Sequence, residues 1–173
     1  MQKSTLLVFL FFLLVNKSGA QNTILDGVYF ESDEELIGRI NNIKSRIDAD
    51  IQTYRKVEME ADSLGSRYAY FDGKELILVK TSTRMENLYR SASWYFDKGR
   101  LIYGESFMND SLQKSSFRDE KLFLDNEHLF WWTIDDKPVD RNSVNFKKSA
   151  DEIGVHAIRM KLENKLPDTG NSK

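Results

Sequence analysis

Residues 95–102 read Tyr95-Phe96-Asp97-Lys98-Gly99-Arg100-Leu101-Ile102, and the fold follows from how the chain reuses this stretch. Two aromatics, an Asp, a short polar run with Gly and then two aliphatics make hairpin chemistry. The Asp side chain closes the turn, and Gly tolerates a positive φ. The same unit stands without gaps at Tyr70-Phe71-Asp72-Gly73-Lys74-Glu75-Leu76-Ile77 and at Phe123-Leu124-Asp125-Asn126-Glu127-His128-Leu129-Phe130, with starts 25 and 28 residues apart. Three hairpins predict six strands, near 67–71, 75–81, 86–96, 100–108, 117–124 and 128–134. The simplest connection of these is an antiparallel meander.

Alternation along each strand then sorts side chains between two faces. If Phe96 pairs with Leu101 across its turn, Trp94 meets Tyr103 on the same face. The equivalents are Ala69, Phe71, Leu76 and Leu78 in the first hairpin and Leu122, Leu124, Leu129 and Trp131 in the third. That face is apolar throughout and is expected to be the core side. The opposite face holds Tyr68, Tyr70, Ile77 and Val79, then Ser93, Tyr95, Ile102 and Gly104, then Lys121, Phe123, Phe130 and Trp132. It is mixed, with an aromatic and aliphatic band near the turns.

A helical period flanks this sheet on both sides. Leu36, Ile40, Ile43, Ile47, Ile51, Tyr54, Val57 and Ala61 recur every three or four residues, which predicts an amphipathic helix over 32–62. Ser32 with Glu35 makes a capping-box start, Gly38 is a weak point, and Leu64-Gly65-Ser66 is the stop. The stripe has to lie on something, and the apolar sheet face is the expected partner. Phe146, Ala150, Ile153, Ala157 and Met160 repeat the pattern, predicting a helix over 143–163, with Ser149 and Glu152 as a second capping-box start. The fold class is therefore α+β: helix, six-stranded meander (67–134) and helix in one domain spanning 21–163. Residues 21–31 could add a short edge strand.

The aromatic-aromatic-Asp-x-Gly-x-Leu unit resembles a pattern in small exported bacterial proteins of unknown function, whose chains run from a leader through an amphipathic helix into tyrosine-rich hairpins. The likeness covers roughly 36–140. It is also distantly similar to MORN-like repeats, which share the Tyr-x-x-x-Gly-x-Leu core, although their regular second Gly motif is missing here. The resemblance implies fold and location and brings no activity with it.

The termini agree with export. Residues 1–20 (MQKSTLLVFLFFLLVNKSGA) read as a secretory signal peptide, with Lys3 in the n-region, Thr5 to Val15 as the apolar stretch and Ser18-Gly19-Ala20 as the cleavage site. An eleven-residue apolar run is far short of the roughly 20 needed to span a bilayer, so no stable membrane span is expected once the leader is removed. The expected location is periplasmic or secreted. Leu166-Pro167-Asp168-Thr169-Gly170 fits a wall-anchoring pentapeptide but lacks the hydrophobic span and basic tail that must follow it, so 164–173 is read as a flexible tail.

Composition narrows the function. The 173 residues contain no Cys, only two His, and a formal charge of −2. That excludes disulfides, thiolate catalysis and Cys-ligated metals, and a mildly acidic chain lacks the footprint of a nucleic-acid binder. His128 reads as an exposed turn residue and His156 as a helix-face residue. The sequence shows no nucleophile elbow and no metal-ligand spacing, so no catalytic residue, metal or cofactor is assigned. Paired carboxylates for glycoside hydrolysis stay open, because they would be distant in sequence. Binding is the better-supported class. If the mixed face is free, Tyr70, Tyr95, Phe123, Phe130 and Trp132 form an aromatic patch for an envelope or extracellular protein, or for a second copy of the chain. The alternative is a glycan- or small-ligand-binding domain, or a weak hydrolase, using the same aromatics. If a helix covers each face, these rings are ordinary core.

Overall fold

The structure, a computed structural model, describes residues 31–61, 65–110 and 117–163. The expected leader at 1–20, residues 21–30 of the suggested edge strand, residues 62–64 at the expected helix stop, residues 111–116 and the expected tail at 164–173 lie outside the described residues. The described order is α1 (Asp33–Ala49), β1 (Arg55–Ala61), β2 (Gly65–Asp72), β3 (Glu75–Met85), β4 (Leu88–Asp97), β5 (Arg100–Asp110), β6 (Phe117–Asp125), β7 (His128–Ile134), β8 (Lys137–Pro138) and α2 (Val144–Glu163). Every strand pairs antiparallel with its sequence neighbour, giving one 8-stranded meander in the order β1 to β8. The architecture is thus α+β, with two strands more than the six expected.

The first of these extra strands replaces the second half of the expected long helix. α1 starts where the sequence puts it: the Ser32 hydroxyl accepts from Glu35 N–H at 3.3 Å, and the Glu35 carboxylate accepts from Ser32 N–H at 2.9 Å. It runs through Gly38 without a break and stops at Ala49. Asp50 caps it by donating its N–H to Arg46 C=O, and Thr53 folds back onto Asp50 C=O at 2.8 Å. Ile51 and Tyr54 keep the helical spacing but pack on the core from this turn, and residues 55–61 then pair with β2. Lys56-Val57-Glu58-Met59 satisfies a period of two as well as a period near 3.6. Pairing settles the ambiguity, because without β1 the β2 edge would present unpaired backbone. Gly38 is exposed, with nothing within 4 Å of where its Cβ would stand. Gly38→Ala should therefore stabilise the fold by about 0.5–1 kcal/mol, read as a higher midpoint in chemical denaturation.

All three repeats close as two-residue turns, pairing Asp72 with Glu75, Asp97 with Arg100 and Asp125 with His128. Lys98 and Gly99 sit at φ 50° and 72°, Asn126 and Glu127 at 49° and 67°, the left-handed pair that suits the strand twist. Phe96 pairs with Leu101 as expected. Beyond that pair each hairpin carries the same β-bulge: Tyr70 opposes Leu78, Tyr95 opposes Tyr103, and Phe123 opposes Trp131. Ile77, Ile102 and Phe130 are the extra residues. One inserted residue reverses the parity of everything after it.

The expected face assignment is corrected at equivalent places for this single reason. Leu78, Tyr103 and Trp131 join Tyr70, Tyr95 and Phe123, while Val79, Gly104 and Trp132 move to the side of Trp94, Phe96 and Leu122. The helices are exchanged too. α1 lays Leu36, Ile40, Ile43 and Ile47 on the Tyr70–Tyr95–Tyr103–Phe123 side, not on the Phe96–Leu101 side. α2 covers the latter with Phe146, Ile153 and Met160. Its cap is Ser143, whose hydroxyl accepts from Phe146 N–H at 3.1 Å, and not Ser149, which lies inside the helix. Arg141, just before α2, pairs with Asp33 in the first turn of α1 and lies 5.3 Å over the Trp131 ring. Each face of the sheet thus carries one helix over part of its area.

Glu127 ties the third turn to its surroundings. Although not Gly, it holds φ at 67°, and its carboxylate accepts from Leu101 N–H at 3.3 Å and pairs with Lys161 of α2. Partial burial alone would raise its pKa; the Lys161 bond, the Leu101 N–H and the nearby Arg100 outweigh this and hold it below the ordinary value. A depressed carboxylate contributes stability that is present above the unfolded pKa of about 4.3 and is lost as pH falls through the folded value. Glu127→Gln should therefore cost stability at pH 7 and progressively less below about pH 4, seen as converging denaturation midpoints. Midpoints that stay equally separated at pH 3 would exclude this role.

Candidate functional site

The five aromatics singled out as a binding patch are placed as follows. Tyr70, Tyr95 and Phe123 lie in one cross-strand row with Tyr103 and Trp131, buried under α1, and Phe130 is half-buried beside them. Trp132 is buried on the opposite face against Phe146. A partner cannot touch this row while α1 is in place, which is the alternative with a helix on each face. Each helix covers one side, and the large rings do what rings of that size do in a core.

The row has a polar end. Tyr95 Oη donates to Asp48 Oδ1 at 2.9 Å and lies 3.3 Å from Glu105 Oε1; Tyr103 Oη donates to Glu105 Oε2 at 3.2 Å. Lys44 pairs with Asp48 at 2.7 Å and stands 5.1 Å over the Tyr95 ring. Burial first, then the Glu105 carboxylate, pushes both phenols well above the ordinary tyrosine range, with Asp48 adding to the effect. Both therefore stay protonated donors. They fasten α1 to β4 and β5 and offer no phenolate for chemistry.

The other face is only partly roofed. Successive rows there read Ala69–Val79–Trp94–Gly104–Leu122–Trp132, then Arg67–Thr81–Ala92–Ser106–Glu120, then Gly65–Thr83–Arg90–Met108–Arg118. α2 sits over the first row and leaves the next two open. The result is a cleft of about 480 Å³ between α2 and the sheet, with His156 and Met160 of α2 among its lining. A second lobe of about 480 Å³ shares Glu120, Leu122 and His156 with it and extends past Arg118 and Trp132 to Ser149 and Glu152.

Why the cleft exists is legible in its residues. Thr81, Ala92 and Ser106 are small, so the floor is low. Trp94 forms a wall because Gly104 lets its ring lie against the strand: a Cβ at Gly104 would meet the indole at 2.5 Å. His156 packs edge-on against the same indole, ring centres 4.9 Å apart. Ser106 donates to Glu120 at 3.2 Å, and Arg118 pairs with Glu120. Glu152 faces Lys148 at 3.8 Å. The Glu120 carboxylate is thus already engaged by a cation, whereas Glu152 is exposed. Trp132 Nε1, walled into this lobe, has no hydrogen-bond acceptor.

His128 is exposed at the start of β7, and the described residues contain no group of three or more His, Cys, Asp or Glu able to hold a metal ion. No described helix is long and apolar enough to cross a membrane. Past the reach of α1, the far end of the sheet exposes Tyr89, Phe107 and Phe117 in a chain of contacts 6.5 and 6.2 Å between ring centres. Among the described residues these three are the exposed aromatics on that side, while Phe130, Trp131 and Tyr68 are half-buried.

Comparison of the chain with protein-family models, with curated proteins and with solved structures gives no match.

Proposed function

We propose that this chain is an exported, non-catalytic binding module that takes a small ligand in the cleft between α2 and the sheet. The observation that carries the reading is the cleft itself: a concave site with a tryptophan wall, a floor of small residues and a few polar groups at its rim, which is how small-molecule sites are built. The leader-like residues 1–20 support export. Engagement of Glu120 by Arg118 and Ser106 supports binding over hydrolysis, since that carboxylate is not left as a free acid or base.

The test fills the floor. Ala92 is half-buried on a central strand, and Ala92→Phe places a β-compatible ring where a ligand would lie. Wild-type protein should respond to a panel of small aromatic and sugar ligands by a change in tryptophan emission, because Trp94 and Trp132 line the two lobes. The A92F variant should keep its circular dichroism and lose the response. Equal binding by both proteins would place the ligand elsewhere and overturn the reading.

A further inference from the structure

We infer that the ligand of this cleft is an amphipathic anion, a flat apolar body bearing one carboxylate, with the body against Trp94 and the carboxylate at Arg90; this rests on the cleft being the binding site. The argument is one of what is left over. Glu120, the acceptor in the floor row, is taken by Ser106 and Arg118. Arg118 is in turn occupied by Glu120. Arg90 is exposed, lies in the cleft lining and has no ion pair or hydrogen bond among the described residues. The charged group left unpaired in the cleft is a cation, so the complementary ligand brings negative charge.

Spacing sets the size. Arg90 and Trp94 lie on the same face of β4, four residues and therefore about 13 Å apart along the strand. Ala92 stands between them with Thr81 and Ser106 beside it, a strip too low to obstruct a planar molecule. The long guanidinium reaches back over part of that distance, which leaves room for a two-ring acid. A neutral sugar fits less well: it would meet one indole wall and leave the Arg90 charge unmatched.

Three probes of one shape separate the terms: 2-naphthoate, the neutral 2-naphthalenemethanol and the cationic 2-naphthylmethylamine. Each is titrated into wild type, Arg90→Gln and Ala92→Phe, following tryptophan emission and checking by calorimetry. Naphthoate should bind wild type about tenfold or more tightly than the alcohol, the amine should bind weakest, and R90Q should remove the preference for the acid without changing affinity for the alcohol. Added salt should reproduce part of the R90Q loss. If acid and alcohol bind wild type equally and both are lost in A92F, the cleft reading holds and the anionic inference fails. If no probe binds, or A92F binds as wild type does, both fail.

Discussion

A chain lacking Ile102 should keep the native register. Ile102 is the extra residue of the second bulge, and without it Tyr103 follows Leu101 by simple alternation, onto the face of Tyr95 and opposite Tyr95 itself. Gly104 stays against Trp94, and Glu105 stays beside the two phenols that donate to it. What is lost is the buried Ile102 side chain on the α1 side and the extra local twist that a bulge imposes. The deletion variant should therefore still unfold cooperatively and keep its near-ultraviolet circular dichroism, at a cost of about 2–5 kcal/mol, the range for emptying a buried isoleucine site. Ile102→Val is the control, expected to cost about 0.5–1.5 kcal/mol. Loss of the cooperative transition in the deletion variant would show that the bulge does more than absorb one residue.

Tyr95→Ala should cost about 3–5 kcal/mol, and Tyr95→Phe about 1–3 kcal/mol. The ring is 1% exposed in the middle of the aromatic row, so its removal leaves a cavity under α1. The hydroxyl adds a separate polar contribution, because with Lys44 it joins Asp48 of α1 to Glu105 of β5. In the Phe variant Asp48 keeps Lys44, which limits the loss, and Glu105 keeps Tyr103. Urea denaturation of both variants separates the two contributions. The pH dependence has a definite sign. With folded-state pKa values raised, Tyr95 and Tyr103 bind their protons more tightly folded than unfolded, so the stability they confer is present below about pH 10 and lost above it. The Y95F/Y103F pair should flatten that alkaline decline. An unchanged alkaline profile would mean the two phenols do not couple ionisation to folding.

What could be read from the residues, and what could not, divides along physical lines. Turn chemistry is local, so the reversals after Asp72, Asp97 and Asp125 were legible, as was the cap at Ser32. The bulges were not. Leu-Ile, Leu-Ile and Leu-Phe follow the turns, and where two apolar residues stand together alternation carries no mark of parity. Both placements bury them, and only the later side chains suffer from the wrong choice. β1 was misread because its apolar positions satisfy two periods at once. At Ser149 the cap pattern was matched one turn and a half too late, since Ser143 lacks the companion Glu that makes a box. The cleft escaped because Arg67, Arg90, Glu120 and His156 come from four separate elements. A signal for it did exist: strands β3 to β5 run past their apolar stretches into Thr81, Thr83, Arg90 and Ser106, which a fully roofed face would not carry.

The unbroken neighbour-to-neighbour order of the sheet also governs the order of events as the chain acquires structure. Each hairpin can zip from its own turn with little loop entropy, so the meander should assemble rapidly. α1 is different, since the strands it rests on include β5 and β6, whose residues lie some fifty to ninety positions later. It leaves the ribosome before those strands and finds its seat only after they have paired. Its oily stripe therefore waits uncovered, and a chaperone or a premature aggregate would find it there.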